Sequence, residues 1–378
     1  MSLLRQEISA TSDTWVVKVG TRVLTREGGV LNEERVASLS AELHMLMNAG
    51  KKVVLVSSGA VGAGMGRLGI PKRPGDVSHL QAVAAVGQCR LMWAYDRSLK
   101  ELGRPAAQIL LTAQDLDHRT RYLNVRNTIL SLFEYGAVPI INENDTVSVE
   151  ELQTTFGDND RLAALVTNLI RAPLLVILSD VAGLYDRDPA DPTAQVVPTV
   201  TKIDDSIFDL VRDKATGLSK GGMASKIRAA KICTAAGENL IVAGGREPGT
   251  LARILAGEET GTLFVAQGAA VASWKRWIGY TVQPRGWITV DSGARKAVEL
   301  QGRSLLPIGI VDVGGDFVKG DVVMIRDPQQ AEFARGLVNY SADDARKIMG
   351  LKSEQIANTL GHRPYDEVVH RDNLALTV

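Results

Sequence analysis

The sequence predicts an α/β protein: a three-layer sandwich on a mainly parallel open sheet, followed by a small β-barrel-like domain. Two observations predict it. Strand-like runs without internal polarity, such as Lys52-Val53-Val54-Leu55-Val56 and Leu174-Leu175-Val176-Ile177-Leu178, alternate with helical stretches, the pattern of a parallel sheet covered on both faces. That alternation stops near Gly261-Thr262-Leu263-Phe264-Val265, and short glycine-punctuated strands follow, as in a small barrel.

Each element can be justified in order. Trp15-Val16-Val17-Lys18-Val19-Gly20 is a strand running into a glycine turn. Asn32 caps a helix through Ala49, with Val36, Leu39, Leu43 and Leu46 on one face. After the strand ending at Val56, Ser57-Ser58-Gly59-Ala60 opens a further helix, and residues 78–102 form a long one. Strands are expected at 107–111, 137–141, 174–178 and 239–242, with helices at 121–135, from Asp160, at 222–236 and at 248–255. The second set of strands falls at 286–290, 308–313, 321–325 and 333–338. These divide the chain into a domain of residues 1–265, a connector at 266–284 carrying Trp274 and Trp277, and a second domain at 285–378.

Bulk properties exclude several classes. Lys plus Arg equals Asp plus Glu at 43 each in 378 residues, so no global field attracts nucleic acid or a membrane surface. No apolar run reaches the roughly 18 residues of a membrane span, and the first 13 residues lack a signal core. Cys89 and Cys233 lie far apart in sequence, which argues against a disulfide framework and for the cytoplasm. The five histidines form no metal-ligand pair, and neither a hydrolase triad nor a zinc motif is present.

The chemistry is expected at the strand ends, where open α/β sheets bind ligands. After residues 137–141 the chain turns polar at Asn142-Glu143-Asn144-Asp145 and returns as Phe156-Gly157-Asp158-Asn159-Asp160. Five carboxylates there (Glu143, Asp145, Glu150, Asp158, Asp160) repel one another unless cations or donors converge on them. Candidate cations are Lys18, at the first strand end, and Lys226, in Lys220-Gly221-Gly222-Met223-Ala224-Ser225-Lys226. Glycines ahead of a helix can cradle phosphates with main-chain donors, and a lysine there needs an anion to offset the helix dipole. Ser179-Asp180 with Gly183-Leu184-Tyr185 suits an adenine and ribose site, although a polar loop reads the same way. Lysines, acids and glycine turns without a candidate base fit phosphoryl transfer, which needs positioning and charge neutralisation more than proton chemistry. A carboxylate acceptor is already deprotonated at neutral pH.

These segments, together with Lys18-Val19-Gly20-Thr21 and Ser57-Ser58-Gly59-Ala60, resemble the amino acid kinase family, in its glutamate-phosphorylating branch. Val290-Asp291-Ser292-Gly293-Ala294, Ser304-Leu305-Leu306-Pro307 and Ala334-Arg335-Gly336-Leu337-Val338-Asn339-Tyr340-Ser341 resemble the PUA domain that many of its bacterial members carry. The resemblance implies ATP-dependent phosphorylation of the γ-carboxylate of L-glutamate, the first step of proline synthesis, with Mg²⁺ accompanying ATP and no dedicated protein metal site. It implies Lys18 and Lys226 as phosphoryl-stabilising residues and Asp160 as the group orienting both. Ser58, Asp145 and Asn159 would hold glutamate, Asp145 pairing with its α-ammonium. Lys18, Ser179, Asp180, Lys220, Gly221, Gly222, Met223, Ala224, Ser225 and Lys226 would border ATP. A homo-oligomer is implied, and delivery of the labile product to γ-glutamyl phosphate reductase is a reasonable extension. Two stretches depart from the family pattern: residues 216–220 replace a Gly-Thr-Gly-Gly-Met run, and residues 148–155 are longer than usual.

Two alternatives stand beside it. Another member of the fold would act on N-acetylglutamate, aspartate, UMP or carbamate. An RNA-binding protein would use the PUA domain, but residues 285–378 hold 12 Lys plus Arg against 13 Asp plus Glu, without the basic footprint that phosphate-backbone binding demands.

Overall fold

In the computed structural model the chain forms two compact units, Met1–Ala269 and Ala270–Val378. The structure describes residues 2–26, 29–147, 158–211, 221–267, 275, 277–362 and 365–377. Expectations for Glu150, Phe156, Gly157, Trp274, Lys220, residues 148–155 and residues 216–219 lie outside that set, as does the side chain of Asp158.

In the first unit, α1 (Leu3–Thr11) precedes β1 (Thr14–Val19), α2 (Thr21–Leu24), α3 (Glu33–Asn48), β2 (Lys52–Ser57), α4 (Ala60–Leu68) and α5 (Val77–Glu101). There follow β3 (Ala106–Leu111), α6 (Ala113–Asp117), α7 (Arg119–Glu134), β4 (Val138–Glu143), α8 (Asp158–Ile170), β5 (Leu174–Ser179), β6 (Thr199–Val200) and α9 (Asp205–Asp209). The unit closes with α10 (Gly221–Ala235), β7 (Asn239–Gly244), α11 (Thr250–Leu255) and β8 (Thr262–Phe264). The strands form one eight-stranded sheet in the order β3-β4-β2-β1-β5-β7-β8-β6. All pairings are parallel except β7 with β8.

Strand parity sets the layers. Trp15, Val17 and Val19 of β1 join a core with Leu39, Leu43 and Leu46 of α3 and Leu91, Tyr95 and Leu99 of α5. Successive side chains of a strand point to opposite faces, so Val16 and Lys18 face the other layer, where α8 and α10 pack. Each fully buried Leu or Val contributes about 1.5–3 kcal/mol, so a strand apolar on both faces is held from both sides. The expected cap is present: Asn32 accepts from the Arg35 backbone N–H at 3.3 Å.

Gly64 and Gly87 bring α4 and α5 into backbone contact. A Cβ on Gly87 would stand 1.7 Å from the Ala60 carbonyl oxygen, and one on Gly64 would stand 1.9 Å from that of Val83. Gly59 turns the chain into α4 with φ 111°, a left-handed conformation that favours glycine.

The polar tail of the fourth strand corrects one expectation. Asn142 and Glu143 belong to β4 itself, and both are buried. The strand expected over 137–141 runs two residues further, and the Asn142 amide is hydrogen-bonded inside the sheet edge, as described below.

In the second unit, β9 (Gly286–Val290), α12 (Ser292–Glu299), β10 (Ile310–Gly315), β11 (Val322–Arg326), β12 (Glu332–Val338), α13 (Ala342–Ile348), α14 (Ile356–Leu360) and β13 (Val369–Leu376) surround a separate core that includes Ile288, Val323, Phe333 and Val369. The sheet order is β10-β9-β11-β12-β13, antiparallel except for β9 with β11. Trp277 is buried in a short π-helical turn, Trp277–Thr281, against β12 and β13.

Candidate active site

Strands β4, β2, β1 and β5 are neighbours and parallel, so their carboxyl ends open at one edge. The register places Lys18 beside Val56 and Ile177, and Val19 beside Ser57 and Leu178. That row gathers Lys18, Ser58, Asn142, Glu143, Ser179 and Asp180 from four distant stretches of sequence.

The centre is Asp160, on the first turn of α8 and 1% exposed. Lys18 Nζ lies 2.7 Å from its Oδ1, a close ion pair. Its Oδ2 takes Lys226 Nζ at 3.1 Å and the Ser225 hydroxyl at 2.7 Å. Lys226 Nζ also donates to the Gly222 carbonyl at 3.1 Å, which pins the amine to the start of α10.

Charge decides what this cluster can do. Burial pushes the Asp160 carboxyl up, but Lys18 and Lys226 outweigh burial and hold it at about 2. Burial lowers Lys226, Asp160 opposes that, and the charge on Lys18 adds to the lowering. Two amines thus face one carboxylate in a desolvated place, and an incoming anion completes the balance.

The remaining candidates ring this centre. Ser58, 8% exposed, follows β2 and donates its backbone N–H to the Val19 carbonyl at 3.1 Å. Asn159 adjoins Asp160 and is buried. Asp145 lies in the turn beyond β4, half-buried; burial raises its carboxyl to about 6, with Arg73 opposing. Ser179 ends β5, and its hydroxyl donates to Asp180 Oδ1 at 3.2 Å. Asp180 also pairs with Arg22 at 3.0 Å. Direct contacts therefore join Lys18, Asp160, Ser225 and Lys226. The sheet and the start of α8 bring Ser58, Asp145, Asn159, Ser179 and Asp180 to the same edge, while Lys220 lies outside the described residues.

Two partners were not expected from sequence. Arg22 carries no motif. Gln88, on α5, accepts from Asn142 Nδ2 at 2.8 Å; a lone glutamine within a long helix gives no signal. Among the described residues, no group of three or more His, Cys, Asp or Glu side chains converges as a metal site, and no helix is long and apolar enough to cross a membrane.

Comparisons with known proteins identify the family. Residues 13–244 match the amino acid kinase family and residues 286–360 the PUA domain. Glutamate 5-kinase of Rhodopirellula baltica is 46% identical, over 99% of this chain and 96% of its own length. The enzyme of that name from Caldanaerobacter subterraneus subsp. tengcongensis is 45% identical over 96% and 97%. That of Thioalkalivibrio sulfidiphilus is 45% identical over the full length of both. A chain whose strand edge carries this lysine–aspartate–lysine centre, and whose length matches such relatives throughout, belongs to the amino acid kinase family.

Proposed function

We propose that this protein transfers the γ-phosphoryl group of ATP to the γ-carboxylate of L-glutamate, giving L-glutamyl 5-phosphate and ADP, the entry to proline synthesis. The observation that carries the phosphoryl-transfer chemistry is the meeting of Lys18 and Lys226 on one buried carboxylate, at 2.7 and 3.1 Å. The choice of acceptor is supported by near-full-length relatives named for glutamate.

In that reaction a γ-carboxylate oxygen attacks the terminal phosphorus while the bond from that phosphorus to the β–γ bridging oxygen breaks. The leaving oxygen departs on ADP. The nucleophile carries no proton at neutral pH, so no base is needed, and the site's work is positioning and charge neutralisation. Lys18 and Lys226 stabilise the moving charge; Asp160, with Ser225, holds both amines in place. Ser179 and Asp180 border the nucleotide, with residues 220–226 over its phosphates. Ser58, Asp145 and Asn159 hold glutamate, Asp145 against the α-ammonium.

Both oxygens of Asp160 already have partners, so the donor set suits a Mg²⁺ carried on ATP, with phosphate oxygens and water as its main ligands. When bound, Mg²⁺ supplies further neutralisation of the phosphate charge. An unstable acyl phosphate favours direct delivery to a reductase, and we place the protein, as a homo-oligomer, in the cytoplasm.

The test is ATP consumption with Mg²⁺ and, in parallel, glutamate, N-acetylglutamate, aspartate, UMP or carbamate, with hydroxylamine to trap the acyl phosphate. Glutamate should give the hydroxamate at the highest kcat/KM. Turnover with another acceptor and none with glutamate would reject the assignment.

A further inference from the structure

Three side-chain amides from three elements form one chain beside the acceptor end of the site. Asn159 Nδ2, on α8, donates to Asn142 Oδ1, on β4, at 3.2 Å. Asn142 Nδ2 donates in turn to Gln88 Oε1, on α5, at 2.8 Å. Every amide has one accepting and one donating end, so such a chain has a polarity, and fixing one end fixes the other. With Gln88 accepting, Asn142 turns its nitrogen toward α5 and its oxygen toward Asn159. Asn159 must then direct its nitrogen inward and keep Oδ1 outward. That Oδ1 is buried and finds no partner among the described residues. An unfilled buried acceptor calls for a donor, and an ammonium group is donor-only.

We propose, on the footing that glutamate is the acceptor, that Gln88 is a positioning residue for substrate recognition. By accepting from Asn142 it sets the orientation of the Asn159 amide, so that Asn159 Oδ1 meets the substrate's α-ammonium. The neighbouring residue fixes where Gln88 stands: Gly87 lets α5 touch the Ala60 backbone, leaving no room for a Cβ. The chain therefore favours acceptors with a free amino group. Without the accepting end at position 88, Asn142 is free to turn over, and Asn159 then presents a donor to a donor.

Gln88→Met keeps the length and removes the acceptor; Gln88→Glu keeps the acceptor. The methionine variant should raise KM for glutamate about tenfold, the equivalent of roughly one hydrogen bond, while kcat and KM for ATP stay within about twofold. The glutamate-for-glutamine variant should stay near the parent. Calorimetric titration of L-glutamate should show the same order in Kd. Gln88→Lys, which only donates, should weaken glutamate more than methionine does and serves if the methionine variant does not fold. An unchanged KM for glutamate in Gln88→Met or Gln88→Lys overturns the inference, as does a parallel loss in kcat and ATP binding, the mark of general disruption. A parent that neither binds nor phosphorylates glutamate instead overturns the acceptor assignment beneath it.

Discussion

Replacing Asp160 with Asn removes the one carboxylate between two amines while keeping the shape. Its loss leaves Lys18 and Lys226 buried without their counter-charge, which costs about 3–5 kcal/mol when a buried pair is broken. Turnover should fall along with the chemical-denaturation midpoint. Acid titration gives an independent check with a definite sign. The folded carboxyl is held at about 2, below an unfolded value of roughly 3.9. Its contribution to stability is therefore present above pH ~4 and lost as pH falls toward 2, a loss that Asp160→Asn should not show. Lys226→Ala should lower kcat by about 10²–10³-fold, the scale of removing one donor to a developing charge, and leave glutamate binding within about threefold in calorimetry. Asp145 runs the other way. Its carboxyl is raised to about 6 by burial, and only the charged form pairs with an ammonium. KM for glutamate should rise as pH drops through 6, approaching tenfold per unit, and Asp145→Asn should flatten that profile at a high KM. The substrate's own γ-carboxyl, near 4.3, does not titrate there. The fold responds oppositely: a raised carboxyl favours folding at low pH, and that stability is lost as pH rises through 6.

At the scale of elements, the contact of α4 with α5 links stability to substrate choice. Gly87→Ala would put a Cβ 1.7 Å from a carbonyl oxygen, so the helices must separate, at about 1–3 kcal/mol. Because α5 carries Gln88, the same variant should raise KM for glutamate more than KM for ATP. Gly75→Ala, where a Cβ meets nothing within 4 Å, should leave both the denaturation midpoint and the two KM values unchanged. The elements also show what sequence can carry. β1, β2 and β5 were legible because strands buried on both faces read as near-continuous apolar runs, with polar residues, Lys18 among them, kept toward their ends. The lysines and Asp160 were legible by residue type at strand and helix ends, although only the crossovers make them meet. The end of β4 was read two residues short because polarity blurs a strand boundary, and the amides that hold Asn142 inside the edge come from distant elements. Gln88 was illegible: its partner is 54 residues away, and nothing local records the contact. α1 was missed for a similar reason, since Arg5 is held by the distant carbonyls of Pro198 at 2.6 Å, Thr260 at 2.8 Å and Gly261 at 3.0 Å.

For the whole molecule, chemistry and mass are unevenly shared. Every proposed site residue lies in Met1–Ala269, and each unit encloses its own apolar core. A chain ending at Ala269 should therefore fold and form glutamyl hydroxamate with ATP and glutamate, with kcat within about threefold of the full chain, since it keeps every charge proposed to act on the transferred group. A hundredfold loss would mean that the second unit contributes to turnover directly. The charge of that second unit argues against an independent nucleic-acid role. Residues 285–378 are near-neutral, and several of their cations are already engaged: Arg295 with Glu299 and Asp327, Arg326 with Asp312, Arg335 with Glu332, and Arg346 with Asp343. Backbone binding draws its strength from cations that release counterions from phosphates, and falls steeply with salt. A contact made by any of these four arginines would first have to displace an internal carboxylate. The full-length protein should therefore show no RNA shift at about 150 mM salt, and only a weak, salt-erased one at about 20 mM. A tight complex that survives the higher salt would mean that the fold concentrates its remaining cations on one face, and would give the second unit a function of its own.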